Sequence, residues 1–191
     1  MKNNLSASYH EMIHKTLRER RTAHYFKNED IPESLILKAV ESVRWAPNHY
    51  LTEPWKVYLL GSEAKSQIIS LNSGIVRSSK GEKAAKIKAA RWSEIPGWLL
   101  VNCLKNEDEL RQKEDYAACC CGIQNLTLSL WVEGVSVKWT TGKVTRDPEF
   151  ARIVGFNVEK ESVVGLLWFG FAKVIAEQKR RPMERYFSRV P

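Results

Sequence analysis

Two predominantly apolar runs constrain the fold of this chain more than any other feature. They are GWLLVNCL at residues 97–104 and SVVGLLWFGFA at residues 162–172. Runs of this length fall well short of the ~20 residues that cross a bilayer, and they are typical of strands buried inside a sheet. WKVYLL at residues 55–60 and the alternating segment at residues 135–139 predict two further strands. The sequence therefore predicts a sheet of three or four strands.

Amphipathic helices are predicted around these strands from apolar residues spaced three and four apart. The predicted helices cover residues 9–17, 32–46, 64–71, 80–91, 107–133 and 147–155. Residues 107–133 predict the longest helix, ended by Gly134, and the Ser- and Gly-rich segment 72–80 predicts a mobile loop. Because helices and strands do not alternate strictly, we expect an α+β fold rather than a doubly wound sheet.

Length and charge bound the size of the fold and the class of partner. A chain of 191 residues with 43% hydrophobic content suits one domain spanning residues 1–191 and is too short for two ordinary domains. The net charge of +8 suits a partner with phosphate groups, which includes nucleic acids, anionic membranes and phosphorylated cofactors. Alanines interrupt the lysine-rich segment 80–91, and no nucleic-acid motif accompanies it. We therefore interpret this segment as the solvated face of a helix and expect no nucleic-acid partner.

Several locations and kinds of site are not indicated. The segment MKNNLSASYHEM lacks the apolar core of a secretory signal, and no run is long enough to span a bilayer, so we expect a cytoplasmic protein without a membrane partner. The four cysteines form no CxxC pair, which favours reduced, buried thiols over a metal site. Neither GxGxxG nor GxxxxGK[ST] occurs, so neither a Rossmann site nor a P-loop is predicted.

Two basic segments are candidate anion sites. Arg20, Arg21 and Thr22 offer two guanidinium groups and a hydroxyl where a helix passes into a loop, which is good geometry for a phosphate. The simpler alternative is that these arginines only complement the dipole of a solvated helix end. The second segment is KRR at residues 179–181, which taken by itself is typical of a solvated tail.

Two further segments present polar groups from a constrained backbone. Asn48, His49 and Glu53 lie in a loop between two prolines, whose fixed φ angles stiffen it. A plain surface histidine is the alternative for His49. The segment WTTG at residues 139–142 ends a predicted strand, where the glycine permits an unusual turn and the threonines can meet the edge of a ligand. An ordinary strand end is the alternative there.

In combination, four segments resemble, in order and spacing, those that mark the nitroreductase family of FMN enzymes. They are RRTAHYF at 20–26, APNHYLTEPW at 46–55, EDYAACCCGIQNLTLSLWVEGVSVKWTTG at 114–142 and RRPMERYF at 180–187. The similarity covers nearly the whole chain. It implies an α+β fold with a central, mostly antiparallel sheet surrounded by helices. It also implies an intertwined homodimer that holds FMN noncovalently at the subunit interface.

The resemblance implies which residues hold the phosphate end of FMN. Arg20, Arg21 and Thr22 would bind the phosphate and the ribityl chain. Arg181, ahead of the basic residues at 179 and 180, would supply another phosphate ligand from the carboxyl-terminal segment. Several charge-assisted hydrogen bonds from opposite ends of the chain would suit a group with nearly two negative charges. His24 stands where the family frequently has arginine or lysine.

The resemblance also implies which residues lie near the flavin ring. Asn48, His49 and Glu53 would approach it from the neighbouring subunit, and Glu53 replaces a common glutamine. The remaining contacts would come from Trp139, Thr140 and Thr141. The flavin carries out the redox chemistry itself, so no catalytic side chain and no metal are expected.

The implied activity is that of an NAD(P)H-dependent FMN oxidoreductase. Hydride would pass from NADH or NADPH to flavin N5, and a nitroaromatic, quinone or enone would then take it in a ping-pong sequence. An enzyme of the same fold with a dedicated task, such as dehalogenation, dehydrogenation or flavin fragmentation, is one alternative. A basic nucleic-acid-binding protein is the alternative from another class, and steep salt dependence of binding by a colourless protein would mark it.

Overall fold

An antiparallel sheet forms the centre of the protein. A computed structural model describes residues 7–191, which form strands β1 (Trp55–Leu59), β2 (Gly97–Leu104), β3 (Val135–Thr140) and β4 (Glu161–Phe171). The strand order is β1-β2-β4-β3, and each neighbouring pair is antiparallel. The two apolar runs are the central strands β2 and β4, which are buried on both faces and therefore show no polar alternation. The predicted strands and the α+β class are confirmed.

Helices cover both faces of this sheet. Within residues 7–191 they are α1 (Ala7–Glu19), α2 (Glu33–Glu41), α3 (Ser62–Ser93), α4 (Glu109–Val132) and α5 (Pro148–Val154). Short 3-10 turns occur at Ser42–Trp45, His49–Leu51, Lys143–Arg146 and Met183–Arg185. The Asp108 and Asp147 side chains begin α4 and α5 by accepting backbone N–H groups at 2.8 and 2.9 Å. Gly134, with φ of 79°, follows α4 as predicted.

Two apolar layers hold the helices on the sheet. One layer packs α2 and α4 on one face, through residues such as Val43, Ile123 and Leu126. The other layer lies under α3 and α5 and contains a cluster of three tryptophans, whose ring centroids are 4.9 to 5.6 Å apart; they are Trp92, Trp98 and Trp168. Each large side chain that is fully buried contributes roughly 1.5–3 kcal/mol to stability. The expectation that Trp98 belongs to the core is confirmed.

The prediction of a loop at residues 72–80 is wrong. These residues continue helix α3, whose helical geometry is interrupted at Gly81, so α4, with 24 residues, is the longest uninterrupted helix in residues 7–191, as predicted. The buried side of α3 is formed by Ile68, Asn72, Ala85 and Trp92. Packing of this side outweighs the weak helix propensity of Ser and Gly, which costs about 1 kcal/mol or less per residue. Gly81, with φ of 80° and ψ of 172°, kinks the helix just after the predicted loop.

Helix α1 lies on the outside of the chain with its apolar side uncovered. The side predicted from spacing is present, but all of its large apolar residues are exposed: Tyr9, Met12, Ile13 and Leu17. None of the α1 residues is buried. An amphipathic helix normally covers its apolar side, and a contiguous exposed apolar surface is typical of an interface. A single chain therefore leaves this helix incompletely packed.

The described residues contain neither a membrane-spanning helix nor a metal-binding cluster. In residues 7–191 no helix is both long enough and apolar enough to cross a membrane, and no cluster of three or more His, Cys, Asp or Glu side chains could hold a metal ion. The cysteines are free thiols. Cys103 and Cys119 are buried as expected, Cys120 is half-buried, and Cys121 is exposed on α4.

Candidate functional site

The first candidate motif runs along the edge of the sheet. After α1 ends, Thr22 forms a parallel bridge to Val137 of β3, and Phe26 forms an antiparallel bridge to Ala172 just beyond β4. These two bridges fix the direction of the segment between them. Residues 20–24 therefore lie beside β3, the strand that ends in the WTTG segment.

Arg21 takes part in ending helix α1. Its Nη1 donates to the backbone carbonyl of Arg20 at 3.0 Å and also to that of Arg18. Carbonyl groups at the carboxyl end of a helix lack partners within the helix, and the helix dipole favours a cation there. Within one chain, Arg21 therefore fits the simpler alternative, in which the arginine only stabilises the end of a helix. For Arg20, no side-chain hydrogen bond is described in residues 7–191.

Arg20 meets the basic segment from the other end of the chain. Burial, followed by the charges of Arg21 and Arg180, lowers the pKa of Arg20. Such an effect requires these positive charges to lie close together. A cavity of about 500 Å³ beside Arg21 is lined by Glu19, Arg21, Trp131 and residues 175–179, so that the carboxylates of Glu19 and Glu177 share it with Arg21 and Lys179. The two basic segments therefore form one feature, which we call the cationic cleft.

The three basic tail residues differ in their relation to the cationic cleft. Arg180 is the residue whose charge acts on Arg20, and Lys179 lines the cavity. Arg181, the choice from the resemblance, is exposed, and its role stays a prediction. The structure therefore adds Arg180 as a candidate for the same task.

A second group of basic side chains, which sequence reasoning missed as a site, lies beside the same strand. It consists of His24, Lys88, Arg91 and Lys138, and we call it the basic cluster. Burial, followed by the charges of Lys138 and Arg91, lowers the pKa of His24. Burial, followed by the charges of Arg91 and Lys88, likewise lowers the pKa of Lys138. Within the described part of the chain, no acid is ion-paired with any of the four.

Aromatic rings lie against three of the four side chains of the basic cluster. The charged groups of Lys88, Arg91 and Lys138 lie over tryptophan or tyrosine rings, 4.7 to 5.4 Å from the ring centroids. Cation–π contacts stabilise partly desolvated cations without neutralising them. The cluster therefore keeps its positive charge and favours an anion. One signal in the sequence could have revealed it, namely a lysine at position 138 inside an otherwise mostly apolar strand.

The WTTG segment closes β3 on the same edge as the first motif. Trp139 Nε1 donates to a backbone carbonyl of β4 at 3.1 Å, and its ring covers Gly165, where any Cβ would overlap the indole. Thr140 is half-buried, whereas Thr141 is exposed and lines a cavity of about 580 Å³. The indole N–H of Trp139 is therefore used within the chain. Thr141 offers the more accessible hydroxyl.

The loop between α2 and β1 is braced from within. Asn48 Oδ1 accepts the backbone N–H of Glu53 at 2.7 Å, and Asn48 Nδ2 donates to the hydroxyl of Thr52 at 3.0 Å. His49 Nδ1 lies 3.0 Å from Glu114 of α4. Within one chain, Asn48 is therefore an organising residue of the loop. The Glu53 side chain is exposed.

The first motif contacts two of the other candidate segments at different places. Arg20 meets the basic tail, and Thr22 lies beside β3, the strand that ends in the WTTG segment. The contacts described for the loop at residues 48–53 lead to α4 instead. One chain therefore presents a cationic cleft, a basic cluster and a separate rigid loop.

Comparisons with known proteins agree over most of the chain. The family described as "Nitroreductase family" matches residues 17–171. YfhC of Bacillus subtilis, whose name assigns it to the NAD(P)H nitroreductases, is 31% identical over 177 residues, which cover 90% of each protein.

Solved structures show the same fold. A nitroreductase-like family protein from Bacillus cereus superposes with a TM-score of 0.82 at 27% identity, covering 100% of this chain and 98% of that one. A nitroreductase with bound FMN from Desulfitobacterium hafniense superposes with a TM-score of 0.70 at 17% identity, covering 93% and 97% of the two chains.

Proposed function

Because this chain belongs to the nitroreductase family, we propose that it is an FMN-dependent oxidoreductase that passes hydride from NADH or NADPH to a small oxidised acceptor. The acceptor is a nitroaromatic, a quinone or an enone. Donor and acceptor use the same open side of the cofactor in turn, so the kinetics are ping-pong. The name of the Bacillus subtilis relative and the FMN in the Desulfitobacterium hafniense structure support the donor and the cofactor.

The cationic cleft is the observation that most directly supports this function. Positive charges from both ends of the chain repel each other there. Glu19 and Glu177 line the same cavity, but no acid in residues 7–191 is ion-paired with Arg20, Arg21 or Arg180. A phosphate monoester carries nearly two negative charges and accepts several charge-assisted hydrogen bonds. The donor set therefore fits the phosphate of FMN. Arg20, Arg21, Thr22 and a tail arginine would hold it.

The basic cluster fits a second requirement of the proposed activity, which is to stabilise the negative charge that forms during hydride transfer. Bound FMN supplies a ring that accepts hydride from a nicotinamide and returns it to an acceptor. Negative charge that develops during such transfers is stabilised by fixed cations in a partly desolvated site. Lys88, Arg91 and Lys138 provide these cations beside the strand that ends in WTTG, whereas the lowered pKa of His24 favours its neutral form.

A homodimer would cover apolar groups that are exposed in a single chain. The apolar side of α1 has no cover, and Tyr50 and Leu51 project from the loop at residues 48–53 with 64% and 81% of their surface exposed. A second copy would bury the α1 surface. The loop of each chain, with Asn48, His49 and Glu53, would then lie against the WTTG segment of the other chain. Each of the two sites would then take residues from both chains.

The decisive experiment follows the colour of the protein. Freshly purified protein should absorb between 350 and 500 nm with the two bands of bound flavin. Without oxygen, NADH or NADPH should bleach these bands, and menadione or a nitrofuran should restore them. Colourless protein that takes up no added FMN would overturn the proposal, as would bound flavin that neither nicotinamide bleaches.

A further inference from the structure

Two fully buried thiols lie together between the sheet and helix α4. Cys103 is on β2 and Cys119 is on α4, and both belong to the apolar layer that packs α2 and α4 on the sheet. The Cys119 thiol donates a hydrogen bond to the Cys103 sulfur. Because the two residues belong to different elements, only the packing of α4 on β2 brings their sulfurs into contact.

The polar groups around this pair act unequally on the two sulfurs. Cys103 Sγ also accepts a hydrogen bond from Gln112 Nε2 at 3.5 Å. The bond from Cys119, together with the one from Gln112, outweighs burial and the charge of Asp115 and lowers the pKa of the Cys103 thiol. Donation to Cys103, followed by burial and neighbouring negative charges, raises the pKa of the Cys119 thiol. The thiolate is the nucleophilic form of cysteine, so Cys103 is the more reactive member of the pair.

A cavity of about 480 Å³ lies beside Cys103. Its lining consists of Lys105, Asn106, Gln112, Lys113, Tyr116 and Ser162. Two of these residues contact Cys103, since Gln112 bonds to its sulfur and the hydroxyl of Ser162 donates to its backbone carbonyl at 3.4 Å. A molecule the size of water occupies only about 30 Å³. A small, neutral oxidant such as hydrogen peroxide therefore fits next to the side chains that touch this sulfur.

The arrangement suits a bond between the two sulfurs better than a metal ion. A structural zinc site uses about four ligands, and in residues 7–191 no cluster of three or more His, Cys, Asp or Glu side chains could hold a metal. A disulfide needs only two cysteines whose Cα atoms lie about 4.4–6.8 Å apart, which is the range in which two thiols meet.

We propose that Cys103 and Cys119 are an oxidation site, a buried dithiol that hydrogen peroxide converts into an intramolecular disulfide between β2 and α4. This site goes beyond the proposed function and uses no part of the flavin chemistry.

The reaction takes place in two steps. The sulfur of Cys103 attacks one peroxide oxygen, so that an S–O bond forms, the O–O bond breaks and the leaving hydroxide takes the thiol proton as water. The sulfur of Cys119 then attacks the sulfenic acid on Cys103. The S–S bond forms, the S–O bond breaks, and the hydroxide leaves with the Cys119 proton as a second water. The two sulfurs lose two electrons in total, and the peroxide gains them.

The first test counts thiols in the full-length protein, with Cys121→Ser as the parent because Cys121 is exposed and can react with peroxide by itself. Reduced parent is treated with hydrogen peroxide, denatured, alkylated with N-ethylmaleimide and analysed by mass spectrometry. The alkylated thiols should fall from three to one, and digestion should yield two peptides joined through Cys103 and Cys119. Adding Cys119→Ser should abolish the joined peptides, whereas adding Cys120→Ser, the matched control, should retain them.

Two results of the first test would overturn the inference. One is a joined pair of peptides that contains Cys120 in place of Cys103 or Cys119. The other is a parent that keeps three alkylated thiols at a peroxide dose that fully oxidises Cys121 in the wild-type protein. Failure of the proposed function would look different, because the protein would lack bound flavin, which none of these readings uses.

The second test addresses the order of the two steps. In the same parent, Cys119→Ser should leave the sulfenic acid of Cys103 without its partner, so dimedone should label Cys103. Cys103→Ser should give no dimedone adduct on Cys119. The corresponding alanine variants serve if a buried serine hydroxyl prevents folding. Labelling of Cys119 in Cys103→Ser, with none of Cys103 in Cys119→Ser, would reverse the assigned order and overturn it.

The third test asks whether the sulfurs are already positioned for the bond. A disulfide that closes a loop of about 15 residues constrains the unfolded chain, so oxidation of the parent should raise its melting temperature by about 6–12 °C. Dithiothreitol should reverse the change, and the parent with Cys119→Ser should show no such shift. A melting temperature that falls on oxidation would mean that the bond distorts the packing of α4 on β2, and it would overturn the inference.

Discussion

A guanidinium group that is half-buried among other cations gains stability when an anion joins it. Arg20 is in this situation, since burial and two neighbouring arginines lower its pKa. Arg21 differs from it, because its guanidinium already bonds to the carbonyls that end α1. A hydrogen bond between charged partners contributes about 1.5–3 kcal/mol, which is roughly a 10- to 150-fold change in affinity. Arg20 is therefore the side chain on which cofactor binding should depend most.

Removing the two arginines tests this dependence. Arg20→Ala combined with Arg21→Ala should yield protein that is folded and dimeric but has lost its FMN, because the phosphate then lacks its main donors. Cofactor content after gel filtration, read from the flavin absorbance, is the measurement. Arg152→Ala is the control, since Arg152 is an exposed arginine on α5 that pairs with Glu149. Unchanged cofactor content in the double variant would count against the assignment.

Tyr58 provides a test of pH dependence away from the cleft. Its hydroxyl donates to Glu161 at 2.8 Å, and burial, followed by this bond and the charge of Glu161, raises the pKa of Tyr58 to about 12. A folded-state pKa above the unfolded value near 10 means that the stabilisation is complete below about pH 10. It is then lost as the pH rises towards 12.

The comparison with Tyr58→Phe isolates this effect from the titration of lysines in the same range. Stability from urea unfolding should fall more steeply between pH 10 and 12 in wild type than in the variant, which has no hydroxyl to ionise. Curves that run parallel across this interval would show that the Tyr58–Glu161 bond does not stabilise the fold.

At the scale of elements, the sequence predicted what depends on local pattern. The apolar runs predicted β2 and β4 because strands buried on both faces must be continuously apolar. Residues 72–80 were missed because they continue a helix that is anchored by the burial of Ile68 and Asn72, which local composition does not reveal. The basic cluster was missed for a related reason. His24, Lys88 and Lys138 meet only through tertiary packing of the first motif, α3 and β3.

Two glycines of α3 should respond oppositely to alanine. Gly81 has a backbone conformation that is nearly exclusive to glycine, so Gly81→Ala should destabilise the protein by about 1–3 kcal/mol. Gly74 lies in regular helix with open space around its Cα, so Gly74→Ala should stabilise it by up to about 1 kcal/mol. Denaturant midpoints measure both. A shift of the same sign in the two variants would contradict the kink at Gly81.

At the scale of the whole molecule, several apolar surfaces have no cover in one chain. The α1 surface is the most regular of them, with Tyr9, Met12, Ile13 and Leu17 along one side. An amphipathic helix with no buried residue is marginally stable by itself, because most helical stability in proteins comes from packing. The proposed dimer supplies that packing. The sequence predicted the pattern of this helix, but the fact that its apolar side is left bare follows only from the folded chain.

A single charge on this surface should separate the subunits. Met12→Asp is expected to yield monomers of 22.0 kDa with little bound FMN, because the charge would be buried at the interface. His14→Asp places the same residue on α1 away from the apolar side and should remain dimeric. Sedimentation velocity distinguishes the two species. A wild-type protein that sediments as a monomer at micromolar concentration would contradict the dimer outright.

The affinity for FMN compared with riboflavin, measured by quenching of flavin fluorescence, tests the central role of the cationic cleft most directly. The two molecules differ only in the phosphate. Wild-type protein should bind FMN at least 100-fold more tightly, and this preference should fall at least tenfold in Arg20→Ala and in Arg180→Ala combined with Arg181→Ala. Equal dissociation constants for FMN and riboflavin in the wild-type protein would contradict the account.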